Sequence, residues 1–254
     1  MVLNRQALES KLLQQLLAHP QLNFKIWSDE ELLQSIRQTL QQRSSHRLLR
    51  RKTTEPAVTV GKELWIFAYG SLIWNPIFNY SDRLSVIVEG WQRHFCLLAP
   101  VGRGTIDNPG LILGLEANQK TFCQGIAYRL PIDENLESEL LLLWRREMVV
   151  GSYIPTWITG RNINQSLGDL STDKIEMLAF TVNPEHSVYV KNLSTQTIVE
   201  SLATAQGSLG TCAEYLSNTV QGLLAAEIED KELIELDALV KSRQQDLLKT
   251  NILN

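Results

Sequence analysis

The spacing of apolar residues changes character along this chain and divides it into stretches. Between residues 3 and 19, Leu8, Leu12, Leu13, Leu16 and Leu17 recur at helical intervals among glutamines and charges. This predicts an amphipathic helix that stops at His19-Pro20. Ser28 with Glu31 three residues on forms a capping box, and Leu32, Leu33, Ile36 and Leu40 carry a second helical stripe. From Arg43 to Lys52 the chain turns basic and polar, then runs through Thr53-Thr54-Glu55-Pro56. That composition reads as a solvated linker, with a membrane or partner surface as the other reading of its charge.

At Leu64 the period becomes that of strands, expected at 64–69, 84–90, 92–99, 111–116 and 122–130. Turn chemistry separates them, at Asn75-Pro76, Tyr80-Ser81-Asp82, Gly102-Arg103-Gly104 and Asn108-Pro109-Gly110. Neighbouring strands on short connections favour antiparallel pairing, which points to a curved sheet or small barrel and away from a βαβ nucleotide fold. Residues 133–148 then predict a helix with Asp133-Glu134 at its positive end and Leu136, Leu140, Leu143 and Trp144 along one stripe. Strands at 152–158 and 175–181 flank a polar loop over 160–173. Helices near 194–206, 211–224 and 230–248 follow, the last with Leu233, Leu236, Leu239 and Val240 on one face.

With 254 residues, 44% of them hydrophobic, the chain can build one sizeable core plus an appendage. A formal charge of −4 argues against a nucleic-acid binder held by phosphate contacts, and no apolar run is long enough to cross a bilayer. Arg5, Glu9 and Lys11 interrupt the leucines of residues 1–20, so a secretion signal is not expected there. Cys96, Cys123 and Cys212 are odd in number, widely spaced and without a CxxC pair, which suits a reducing cytoplasm. His19, His46, His94 and His186 are scattered, none with a second His or Cys at ligand spacing, so no metal is expected. No GxGxxG after a strand, Walker-type loop or GxSxG elbow occurs, and no cofactor is implied.

Two features carry chemistry. Tyr69-Gly70-Ser71-Leu72 ends the apolar run 64–68, and a buried strand entering Gly-Ser delivers backbone N–H groups into a turn that no Cβ of residue 70 obstructs. Such a turn holds a carboxylate or a developing oxyanion, or is only a turn. Glu147 lies three residues after Trp144, four after Leu143 and seven after Leu140, on the apolar stripe of its helix. Desolvation there raises a carboxyl pKa and suits the group to passing protons near neutral pH. Pairing with Arg145 or Arg146, or escape to water past Gly151, is the alternative.

Together, residues 67–76 (FAYGSLIWNP), 125–131 (GIAYRLP), Trp144-Arg145-Arg146-Glu147-Met148 with Gly151-Ser152-Tyr153, and 210–216 (GTCAEYL) closely resemble the ChaC-type γ-glutamylcyclotransferases, in matching order over about residues 63 to 240. The resemblance implies an α+β fold, a small mixed β-barrel with flanking helices, over residues 61–250. Residues 1–60 then form an N-terminal helical extension and linker, packed on the barrel or serving as an oligomer contact. It also implies an enzyme that cyclises the γ-glutamyl group of glutathione, giving 5-oxoproline and Cys-Gly without water or cofactor. Glu147 would be the acid/base, and Tyr69, Gly70, Ser71 and Leu72 would bind the γ-glutamyl group. Tyr153 is expected to contact the glutamyl moiety, or to pack with its tip wet. Arg103 meets the glycine carboxylate, or faces solvent in its turn; Tyr215 reads as structural. Another γ-glutamyl amine as substrate, or a non-catalytic γ-glutamyl-binding protein, are the alternatives. The chain departs from the family pattern at Leu111, where arginine is common, and at Cys212, where asparagine is usual.

Overall fold

A computed structural model describes residues 3–50, 63–163 and 174–252. Five strands close a barrel: β1 (Leu64–Ala68), β2 (Asp82–Ala99), β3 (Gly110–Leu130), β4 (Tyr153–Asn162) and β5 (Ile175–Val182), in the order β1-β3-β2-β4-β5. All pairings are antiparallel except the closing one, where β1 runs parallel to β5 through Trp65 opposite Met177 and Ile66 opposite Leu178. The mixed barrel expected of the α+β class is therefore present. Closure buries all five residues of β1, which explains why its sequence is a continuous apolar run without alternation.

Four expected strands merge into two. β2 runs through 84–90 and 92–99 without ending, because Gly90, at φ +80°, shifts the register between Glu89 and Trp91. Residues 118–121 of β3 stand opposite that glycine, so the ladder is interrupted while both strands continue. The two pieces of each strand looked separate because a bulge carries the same polar and glycine signals as a turn.

The helices are α1 (Arg5–Glu9), α2 (Leu12–Leu17), α3 (Asp29–Arg50), α4 (Leu136–Glu147), α5 (Thr195–Thr204), α6 (Cys212–Leu224) and α7 (Lys231–Ile252). The single helix expected over 3–19 is broken at Ser10-Lys11, where Lys11 takes φ +58° and its ammonium reaches Asp29 at 2.6 Å. The Ser28 capping box forms as the spacing requires: Glu31 N–H donates to Ser28 Oγ at 3.3 Å, and Ser28 N–H to Glu31 Oε2 at 2.8 Å. The linker expected from Arg43 is corrected as far as Arg50, since α3 continues through that stretch. Arg43 is docked on the barrel, bonded to Glu176 at 3.1 Å and the Glu63 carbonyl at 2.8 Å and stacked 5.0 Å over Trp157. Residues 51–62, and 164–173 of the expected loop, lie outside the described residues. On α7, Leu233 and Val240 are buried, whereas Leu239 is exposed.

α4 is fixed most firmly. Leu140, Leu143 and Trp144 are at most 1% exposed, and Trp144 sits edge-on to Phe180 at 5.1 Å while its indole N–H donates to Ser35 Oγ at 3.0 Å. Burial of each such side chain is worth about 1.5–3 kcal/mol, so the helix and its last residue, Glu147, are held in place on the barrel. Leu8, Leu32 and Ile36 belong to the same hydrophobic core as the barrel strands. Among the described residues no helix is long and apolar enough to cross a membrane.

Candidate active site

The chain leaves β1 at Ala68 and turns immediately, with Ile73 N–H donating to the Gly70 carbonyl and Asn75 N–H to the Ser71 carbonyl, each at 2.9 Å. Among the described residues, nothing accepts from the amide N–H groups of Gly70, Ser71 and Leu72. A buried amide without a partner is costly, so a cluster of them beside a cavity is a natural acceptor site for an anion. The turn is braced from behind by Arg93, a buried side chain that donates to the Tyr69 carbonyl at 2.9 Å and the Gln124 carbonyl at 2.6 Å, and pairs with Asp230 at 2.8 Å. Gly70 is needed for space: a Cβ there would stand 3.1 Å from the Tyr215 hydroxyl.

Glu147 closes α4 with its side chain 13% exposed. Its Oε1 lies 3.0 Å from Nε of Arg146, whose other nitrogens donate to the Asn75 carbonyl at 2.7 Å and to Ser71 Oγ at 2.8 Å. One guanidinium thus joins the carboxylate to the turn. Burial raises the pKa of Glu147, and the Arg146 charge only partly offsets it. Both alternatives foreseen for this residue are present at once: it is desolvated on the apolar stripe and it is paired with Arg146.

Three phenols surround the carboxylate. Tyr69 donates to the Phe180 carbonyl at 2.6 Å, Tyr153 donates to the Leu113 carbonyl at 3.0 Å, and Tyr215 accepts from Leu113 N–H at 3.4 Å. Burial, reinforced by the negative charge of Glu147, holds Tyr69 and Tyr153 well above the usual tyrosine range and Tyr215 at about 12. All three therefore stay protonated at neutral pH, and the hydroxyls of Tyr69 and Tyr153 are engaged with backbone rather than wet. With Gly70, Ser71, Leu72 and Glu147 they line a recess of about 20 Å³, which has room for one group the size of a water molecule.

The recess adjoins a larger cavity of about 560 Å³ that Glu147, Ser71, Tyr153 and Tyr215 also line. That volume lies in the range of roughly 300–1,000 Å³ typical of small-molecule sites. Arg103 faces this cavity with its side chain 17% exposed, donating to the Thr211 carbonyl at 3.1 Å and stacked over Trp74 and Tyr215 at 5.9 and 5.7 Å. Its solvent-facing alternative does not hold. Every residue singled out by sequence for substrate contact thus lines one of two connected spaces.

Two contributors were not foreseen. Arg146 had entered only as a partner that might neutralise Glu147, and helical spacing cannot show that its fork turns back to residues 71 and 75. Tyr215 was assigned to structure, yet Thr211 and Glu214 form a capping box that starts α6 and sets Tyr215 in its first turn, a signal present in the sequence. Cys212, one of the departures from the family pattern, is buried and donates to the carbonyls of Arg103 and Leu111 at 3.3 and 3.5 Å, so it packs behind the arginine. Away from the cavity, His94, Cys96 and Glu116 bring ligand atoms within 4.8 Å of one another, a juxtaposition across β2 and β3 that spacing along the chain had not suggested. His94 is bonded to Glu116 at 2.6 Å there, and the Tyr189 hydroxyl to the same carboxylate.

The chain resembles known proteins in sequence and in fold. A family model described as ChaC-like protein matches residues 64–243. An Escherichia coli protein named glutathione-specific gamma-glutamylcyclotransferase is 40% identical over 178 residues, covering 70% of this chain and 73% of that protein. Gamma-glutamylcyclotransferase 2-1 of Arabidopsis thaliana is 31% identical over 191 residues, covering 72% and 84%. The crystal structure of a yeast gamma-glutamyl cyclotransferase specific to glutathione superposes with a TM-score of 0.63 at 19% identity, covering 72% of this chain and 97% of that one, a likeness of fold.

Proposed function

The chain belongs to the ChaC-like protein family, and on that footing we propose that it is a glutathione-specific γ-glutamylcyclotransferase with Glu147 as its single acid/base. The observation that carries the reading is the buried Glu147 carboxylate opening on the same recess as the unpartnered amides of Gly70, Ser71 and Leu72.

Glutathione carries an α-amine that can curl back onto its own γ-carbonyl. Glu147 takes a proton from the α-ammonium, the amine nitrogen bonds to the γ-carbonyl carbon, and the bond from that carbon to the cysteinyl nitrogen breaks as the ring nitrogen gives up a second proton, which the released amine takes as its ammonium. The same carboxyl returns a proton to the departing nitrogen. 5-Oxoproline and Cys-Gly result, and water is not consumed. The recess has the size of an ammonium group, and its walls offer the Glu147 oxygens and the lone pairs of Tyr69 and Tyr153, whose protons already point elsewhere. The amides of residues 70–72 suit the α-carboxylate or the tetrahedral oxyanion. Arg103, which also lines the larger cavity, suits the glycine carboxylate. Holding both ends fixes the chain in its folded form, so the bond rotations that cyclisation must otherwise freeze are already fixed on binding.

We assign residues 1–60 as an N-terminal extension of a catalytic domain, 61–250, the described part of the extension docking through Leu8, Leu32 and Ile36. Three free buried cysteines and a small-molecule substrate accord with a cytoplasmic enzyme. The reading is tested by incubating the protein with glutathione, and with N-acetylglutathione, whose amine is blocked. Glutathione should give equal amounts of 5-oxoproline and Cys-Gly, and N-acetylglutathione should remain intact. Release of glutamate, or cleavage of the blocked substrate, would mean that water is the nucleophile.

A further inference from the structure

The larger cavity has two chemically different walls. One is the polar wall of Glu147, Ser71 and Arg103 described above. The other is apolar and comes in part from the N-terminal segment, through Leu3, Leu13, Leu17 and Phe24, residues that lie outside the 64–243 match to the family. This segment is anchored. Asn75, beside the turn, donates to the Leu3 carbonyl at 2.7 Å, Arg145 reaches the Leu8 carbonyl at 3.3 Å, and Trp27 N–H donates to the Val149 carbonyl at 2.9 Å. Arg145 also grips both oxygens of Asp29 at 3.0 and 2.9 Å, while Lys11 pairs with the same carboxylate. The apolar wall is a fixed part of the site rather than a loose flap.

A γ-glutamyl group at Glu147 and a glycine carboxylate at Arg103 leave one branch of glutathione free, the cysteine side chain. In glutathione that branch ends in a small thiol, which leaves the N-terminal wall largely unfilled. We propose that residues 3–24 make a specificity wall that receives an apolar group on the cysteine sulfur, so that thioether conjugates of glutathione are substrates. This deepens the cyclotransferase reading and rests on it. The bonds made and broken are the same: the amine closes on the γ-carbonyl carbon, the cysteinyl nitrogen leaves with a proton, and the thioether is untouched. The products are 5-oxoproline and S-alkyl-cysteinylglycine, and no oxidant or reductant enters.

The test compares glutathione with S-methyl-, S-butyl- and S-hexylglutathione on the full chain, following 5-oxoproline. Each buried methylene is worth roughly fourfold in transfer from water, partly offset by ordering of the alkyl chain, so kcat/KM should climb along the series and reach at least tenfold between S-methyl and S-hexyl. A flat or falling series with glutathione still turned over overturns the wall and leaves the cyclotransferase reading standing. Failure of glutathione itself overturns both. In Leu17→Asp and Phe24→Ser the ratio of kcat/KM for S-hexylglutathione to that for glutathione should drop at least fivefold. An unchanged ratio would show that the N-terminal segment is not the surface contacted. The alkyl series needs no variant, so it decides whether an apolar group on the sulfur is accepted even if these substitutions unfold the segment.

Discussion

Glu147→Gln is the sharpest test of the proposed chemistry, because glutamine keeps the shape and can still accept from Arg146 Nε at the 3.0 Å position that Oε1 now occupies. What it loses is the capacity to take and return a proton. Positioned acid/base catalysis contributes about 10²- to 10⁴-fold, or roughly 3–5 kcal/mol, so kcat for 5-oxoproline release should fall by that factor with KM little changed. The pH dependence supplies a second reading. The base must be ionised, so wild-type activity should rise with pH through the pKa of Glu147, which burial places above the ordinary 4.5. Stability has the opposite sign. Between 4.5 and the raised folded value the native state holds this proton more tightly than the unfolded chain, so wild-type stability should decline as pH rises through that window and level off above it. Glu147→Gln should lack both the activity limb and that share of the decline in stability. A folded Glu147→Gln protein that keeps its kcat within tenfold would remove Glu147 from the chemistry.

Arg146→Met should lower kcat/KM at least tenfold and shift the acidic limb of the pH profile upward, because the one charge that depresses the Glu147 pKa is gone; Arg146→Lys should shift it less. The reading is wrong if the limb stays in place in the methionine variant. Gly70→Ala places a methyl 3.1 Å from the Tyr215 hydroxyl, and steady-state kinetics should show a several-fold loss that Gly70→Ala/Tyr215→Phe partly restores. Equal losses in the single and double variants would exclude that contact as the cause. Arg93→Leu removes the charged partner of Asp230, which among the described residues keeps only Leu233 N–H, and a donor to the Tyr69 and Gln124 carbonyls, and urea denaturation should show about 3–5 kcal/mol of lost stability at an unchanged m value. A loss below 1 kcal/mol would mean that water or rearrangement replaces those bonds.

The legible parts of this chain were those written in local pattern. The apolar run at 64–68, the stripe through Leu140, Leu143 and Trp144, and the Ser28 capping box each specify their element within a few residues, and each forms. What escaped depends on partners distant in sequence. Gly90 reads as the end of a strand until residues 118–121 of β3 are seen opposite it, and the Leu8–Leu17 stripe reads as one helix until Lys11 is seen to bend away to Asp29. The site divides the same way. Gly70 to Leu72 and Glu147 announce themselves by a glycine at a strand end and a charge on an apolar face. The fork of Arg146 leaves no periodic trace, and the N-terminal stripe puts Leu13 and Leu17 on a helix without showing that they line the cavity.

The Arg146–Glu147 pair could be taken as a structural salt bridge that disarms the carboxylate. Two observations weigh against that. The guanidinium is shared among three acceptors, so its charge is not dedicated to Glu147, and burial outweighs it in setting the direction of the Glu147 pKa. An exposed pair of this kind would contribute little. Here both side chains are mostly buried, 6% and 13% exposed, and the other two acceptors, Ser71 Oγ and the Asn75 carbonyl, belong to the turn whose residues 70–72 line the recess. The pair therefore ties the end of α4 to the end of β1, the two elements that must grip opposite sides of one folded substrate. The proton transfer contributes roughly 3–5 kcal/mol, and it needs the carboxylate within reach of an amine held at that turn. A carboxylate free of Arg146 would be more basic yet less well placed.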